Sequence, residues 1–244
     1  MKYFLSFFYL QLLTSLFINL DKKIGMSEKH KVILTGATGM VGEGVLHECL
    51  QHPEIEQILV VGRRSCEIKH PKMNEIVLKD LYDLSAIEND LKNYDACFFC
   101  LGISSLSVNK EEYYKITYTL TMNFAETLSR LNPEMTFCYI SGYGTGTSKM
   151  EWSKVKVKTE NDLMKLPFKQ VYNFRPAFMR PTKGLKHALS FYKYMDWMYP
   201  LLHMISPSYF ITLKDFAYSM INATIKGYHK QILDMKDVAK LAKM

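Results

Sequence analysis

Lys31-Val32-Ile33-Leu34-Thr35-Gly36-Ala37-Thr38-Gly39-Met40-Val41-Gly42-Glu43-Gly44-Val45 decides how the rest of the chain is read. An apolar run of strand length stops at Gly36. Two further glycines follow at three-residue steps, and an apolar-periodic segment opens behind them. Each glycine has a mechanical reading. Gly36 permits the sharp turn out of the strand, Gly39 removes a Cβ that would hold a pyrophosphate off the backbone, and Gly42 lets the new helix lie close on the strand. The helix N-terminus offers unbonded N–H groups and the positive end of its dipole to an anion, which places Thr38, Met40 and Val41 beside the phosphates. A glycine triplet alone is weak evidence; one set between a strand and a helix has the context that dinucleotide binding requires.

Downstream, Val41, Val45, Cys49 and Leu50 recur at helical spacing through about Leu50. The pattern then predicts strands at Ile55 to Val61, Glu75 to Leu78, Tyr94 to Leu101, Met135 to Ile140 and Gln170 to Phe174. Helices are predicted at Ser85 to Leu91, Lys110 to Leu131 and Glu151 to Leu166. Such alternation calls for an α/β fold, a doubly wound parallel sheet with helices on both faces (the Rossmann arrangement). Ligands in these sheets bind outside the strand C-terminal ends. The second strand ends in Gly62-Arg63-Arg64, with no acid to hold a ribose 2′-hydroxyl. Paired guanidinium forks at Arg63 and Arg64 suit a 2′-phosphate, so NADP is favoured over NAD. Asp80, next to Leu81, is placed to accept from an adenine amino group. Leu101 and Gly102 let the fourth strand end run beneath the nicotinamide half.

The 244 residues suit one large domain, or one domain with a small appendage. A hydrophobic fraction of 48% supplies a sizeable core. The net charge of +7 comes from basic residues that form no single run, so nucleic acid is not the expected partner; cofactor phosphates account for part of it. Five cysteines, mostly in apolar runs, read as reduced thiols of a cytoplasmic protein. Cys97 and Cys100 share a strand and are read as core rather than as a redox pair. The seven histidines are scattered, which argues against a metal site. Residues 1–25 form an apolar extension. It is read first as dispensable or as a start-site artefact, and second as a membrane anchor through residues 3–20, flanked by Lys22-Lys23, with a cytosolic domain behind it. Residues 31–180 form the nucleotide-binding domain. Residues 181–244 are read as a small helical substrate or edge subdomain, aromatic-rich at Tyr192, Tyr194, Trp197, Tyr199, Tyr209 and Phe210. In it Thr212 and Asp215 fit the two ends of a capping box.

These residues resemble the short-chain dehydrogenase/reductase superfamily, in its extended or atypical, NAD-dependent epimerase/dehydratase-like branch. The likeness rests on the glycine stretch Thr35 to Gly42, Asp80-Leu81, Leu101-Gly102, Ser141 after the fifth strand and Arg175-Pro176 after the sixth. It implies cofactor contacts at those positions and a Ser, Tyr and Lys for proton transfer. Ser141 and Lys156 match two of the three. Trp152 occupies the tyrosine position, and none of the 16 tyrosines has a lysine four residues later. An indole cannot exchange protons near neutral pH. Lys156 can still hold nicotinamide ribose hydroxyls, and Tyr143, two residues after Ser141, can supply a phenol. The expectation is an NADP-dependent oxidoreductase or epimerase-like enzyme on a small carbonyl or alcohol, or a non-catalytic NADP(H)-binding protein.

Overall fold

The computed structural model describes residues 28–182, 184–187, 204 and 210–244. The expected anchor at residues 3–20 and the aromatic stretch from Tyr192 to Tyr209 lie outside the described residues. Strands β1 (His30–Thr35), β2 (Ile55–Gly62), β3 (Met73–Val77), β4 (Ala96–Phe99), β5 (Thr136–Ile140), β6 (Gln170–Phe174) and β9 (Ile232–Leu233) form one sheet in the order β3-β2-β1-β4-β5-β6-β9. All its pairings are parallel. β7 (Phe178–Arg180) and β8 (Phe210–Thr212) make a separate parallel pair.

The chain leaves β1 toward β2 and β3, then returns to lay β4 on β1's other side. That reversal opens a crevice above the C-terminal ends of β1 and β4. Both faces of the central strands are covered, so they read as continuous apolar runs. Val32, Leu34 and Phe98 face one core with helices α1 (Met40–Gln51), α5 (Leu213–Lys226) and α6 (Met235–Leu241). Ile33, Cys97 and Phe99 face the other, beneath α3 (Thr121–Leu131), which α2 (Lys110–Tyr114) precedes in the chain, and α4 (Glu151–Leu163).

Three helical expectations are corrected. The helix expected from Ser85 to Leu91 is a single 3₁₀ turn, Ser85–Ile87. The Asn132 amide takes over beyond it, donating to the Leu91 carbonyl (2.8 Å) and accepting from the Tyr94 N–H (3.2 Å). The rod from Lys110 to Leu131 is continuous, but Lys115–Leu120 is wound as a π-helix between α2 and α3. α4 stops at Leu163, because Leu166 precedes Pro167 and the α conformation is disfavoured there.

The described part of residues 181–244 shares the main core. Leu213, Phe216, Met220, Leu233, Val238 and Leu241 are fully buried against the β1–β4 side of the sheet. α5 opens on a complete capping box between Thr212 and Asp215. It lies so close to α1 that a Cβ on Gly44 would fall 2.2 Å from Leu213 Cδ2.

Candidate functional site

The glycine loop builds an open helix end. Gly36 turns at φ +73°, and the Gly39 N–H donates to its carbonyl (2.9 Å). The first helical bond runs from the Glu43 N–H to Gly39 O (2.8 Å), so the N–H groups of Met40, Val41 and Gly42 project from the end of α1. Gly39 is the N-cap, with no side-chain cap occupying that end. A Cβ on Gly42 would lie 2.1 Å from Gly36 O, so the turn itself requires a bare residue there. A Cβ on Gly39 would meet only Gly36 O, at 3.4 Å. The fold can nearly tolerate a side chain at that exposed position, and the space beside it is left open. Thr38, half-buried, sits on the same turn.

Beside this loop, Arg63, Asp80, Leu81, Leu101 and Gly102 line one cleft of about 290 Å³. Five residues predicted from three strand ends thus converge. Arg64 is exposed and is not among the lining residues. One Asp80 carboxylate oxygen accepts the Tyr82 N–H (2.8 Å) and so shapes the turn. Tyr82 itself lines the cleft, a ring that sequence reasoning passed over because nothing local marks it.

At the end of β5 the chain is held down onto β6. The Ser141 N–H donates to Phe174 O and the Tyr143 N–H to Pro176 O, both at 2.8 Å. Pro176 is buried, and its carbonyl serves this loop. The Ser141 hydroxyl is buried and donates to Thr145 Oγ1 (3.1 Å), a partner the sequence did not suggest. The Tyr143 side chain is 62% exposed. Lys156 reaches from α4 to the strand end, where its Nζ donates to the carbonyls of Ile140 (3.2 Å) and Ser141. Burial pushes the Lys156 ammonium down to about 8, against the pull of Glu160 one turn later. Glu160 is itself buried and gripped by Arg175, whose Nε donates at 2.9 Å and whose Nη2 donates to the second oxygen. Arg175, quoted above for the family likeness, therefore braces α4 against the end of β6.

Trp152 is turned to the side. Its indole N–H donates to Met150 Sδ (3.4 Å), and its ring lies 3.4 Å from where a Cβ on Gly144 would stand. A second carboxylate escaped the sequence reading. Glu43, buried in the first turn of α1, accepts from the N–H groups of Lys186 and His187 (2.7 Å each) and from His187 Nδ1 (3.0 Å). It ties the chain beyond β7 to α1. Among the described residues no cluster of metal-ligating side chains occurs, and no helix is long and apolar enough to cross a membrane. All five cysteines are free thiols.

The model of the NAD dependent epimerase/dehydratase family matches residues 32–170, more than half of the chain. Protein FMP52, mitochondrial, of Meyerozyma guilliermondii is 25% identical over 158 residues, which cover 64% of this chain and 68% of that protein. The chain spans about half to two thirds of the length of the curated relatives it matches. The Bordetella bronchiseptica enzyme WbmF in complex with NAD+ superposes with a TM-score of 0.61 at 14% identity, covering 90% of this chain and 78% of that one. A short chain dehydrogenase from Burkholderia cenocepacia J2315 in complex with NADP gives 0.60 at 13% identity, covering 87% and 90%. At these identities the likeness is one of fold.

Proposed function

The chain belongs to the NAD dependent epimerase/dehydratase family, and on that premise we propose that it is an NADP(H)-dependent oxidoreductase or epimerase-type enzyme acting on a small carbonyl or alcohol. One observation carries the reading: the open end of α1 and the Ser141–Lys156 pair stand at the C-terminal ends of neighbouring strands β1, β4 and β5. Gly36, Thr38, Gly39, Met40, Val41 and Gly42 would hold the pyrophosphate. Arg63 would meet the 2′-phosphate, with Arg64 nearby. Asp80, Leu81, Leu101 and Gly102 would enclose the adenine side, and Lys156 and Pro176 would border the nicotinamide ribose. When bound, the nicotinamide supplies hydride transfer. Ser141 would hold the substrate oxygen, exchanging its bond to Thr145 for one to substrate. The proton would move through Tyr143 or through a water held by Lys156, whose ammonium, lowered to about 8, can release a proton and be restored from the amine form near neutral pH. The free thiols favour a reducing, cytoplasmic compartment.

Trp152 supports a second reading, a non-catalytic NADP(H)-binding protein, since its N–H is engaged by Met150 and offers no proton. Calorimetric titration with NADPH and NADH, followed by a carbonyl screen monitored through NADPH absorbance, separates the two. Turnover of any carbonyl supports the enzyme. Tight NADPH binding without turnover supports the second reading, and absence of binding by either nucleotide overturns both.

A further inference from the structure

Helix α4 opens Glu151-Trp152-Ser153-Lys154-Val155-Lys156, and the spacing sets Trp152, Val155 and Lys156 on one face. Lys156 reaches down to the end of β5. Trp152 and Val155 instead line a cavity of about 540 Å³, together with Leu106 and Val108 of the segment after β4 and Tyr113 of α2. Lys156 and Ser141 do not line this cavity; what links them to it is α4, on which Lys156 directly follows Val155 and stands one turn after Trp152.

We propose that this cavity is the substrate pocket and that it takes an apolar carbonyl compound bearing a carboxylate, not a hydroxyl-rich sugar nucleotide. The proposal rests on reading Lys156 and Ser141 as the reacting end of the site. Its volume is that of a small-molecule pocket. Much of its wall is carbon, from the indole of Trp152 and the side chains of Leu106, Val108, Met150 and Val155, with Ser105 and Tyr114 lining it beside them. A sugar hydroxyl pressed against those carbon faces would lose its water partners without replacement. Apolar surface here is left open to solvent: Leu106 is 92% exposed and Met150 is 61% exposed. The indole is a fixed wall, braced by its bond to Met150 and by the Gly144 backbone. Tyr113 is a buried phenol among these walls. The rim is cationic. Lys110 and Lys149 border it, while the one carboxylate there, Glu151, is paired with Lys154 (2.7 Å). A carboxylate leaving the apolar chamber would meet those two ammonium groups.

The test uses the full chain and the fluorescence of its tryptophans, Trp152 and Trp197. The probes are 4-phenyl-2-oxobutanoate, its methyl ester and UDP-glucose, with NADPH affinity measured separately by calorimetry. The acid should quench the emission and bind about tenfold more tightly than the ester, the effect of one well-placed charge pair. Trp152→Phe should abolish the quench. Leu106→Glu, at a position too exposed to disturb folding, should weaken the acid about tenfold and leave NADPH affinity unchanged. Absence of quenching by the acid, equal affinity for acid and ester, or displacement of the acid by UDP-glucose would overturn the pocket assignment. NADPH binding with no quench removes the pocket and leaves the proposed function standing; quenching without NADPH binding does the reverse.

Discussion

A methyl group at position 42 would press on the Gly36 carbonyl, backbone against backbone, with nothing able to yield. One at position 39 would make nearly ordinary contact. The sequence presents the two glycines as equals in one motif; the structure separates their duties. Gly42→Ala should lower stability by about 1–3 kcal/mol and abolish NADPH binding. Gly39→Ala should leave the melting temperature nearly unchanged yet weaken NADPH about tenfold or more. Thermal melts and calorimetry read both, and a strongly destabilised Gly39→Ala would contradict the division. The two arginines divide in the same way, since Arg63 lines the cleft and Arg64 does not. Arg63→Ala should cut the preference for NADPH over NADH about tenfold, and Arg64→Ala by much less. For Lys156 the sign is fixed by burial. It is protonated below about 8 and neutral above it. If it supplies the proton, carbonyl reduction should fall as pH rises through about 8. Lys156→Arg, which stays charged, should remove that inflection from the pH–rate profile. Glu160→Gln should move the inflection lower, because Glu160 favours the charged form.

At the scale of elements, what can be read locally is legible. The capping box of α5 is written in Thr212-Leu213-Lys214-Asp215 and is built as written. Asp215→Ala should cost about 1 kcal/mol in chemical denaturation. Strands β1 to β6 were visible for the same reason, since apolar runs bounded by glycine and polar residues need no distant partner to be recognised, whereas β7, β8 and β9, only two or three residues long, were not. What escaped depends on groups far apart in sequence. The Asn132 amide ends the helix expected after Ser85 from across the core. Arg175 meets Glu160, and Glu43 meets His187, only because the sheet brings their elements together. The closeness of α1 to α5 at Gly44 is equally silent, since a glycine four residues into a helix reads as a weak helix former until Leu213 is seen against it. The glycine turn at the head of α1 was therefore legible as a motif, while the braces that hold Ser141 and Lys156 in place were not.

At the scale of the whole molecule, the sequence pattern loosens after Pro181 and invites a boundary at residue 180. The packing of the described residues runs the other way. Six buried side chains, Leu213, Phe216, Met220, Leu233, Val238 and Leu241, fill one core with Val32, Leu34, Val45 and Phe98 from the nucleotide-binding half. β9 pairs with β6 as the seventh strand, and Glu43 fastens the chain at Lys186 and His187 to α1. Each fully buried apolar side chain contributes about 1.5–3 kcal/mol. Losing six would therefore match or exceed the about 5–15 kcal/mol of net stability typical of a whole domain. It would also uncover the side of the sheet that carries α1, and with it the seating of the phosphate-binding helix. A chain truncated after Arg180 should accordingly keep helical circular dichroism but melt without a cooperative transition, bind a hydrophobic dye and fail to bind NADPH. A cooperative melt and intact NADPH affinity in that fragment would instead establish residues 31–180 as a domain that folds alone.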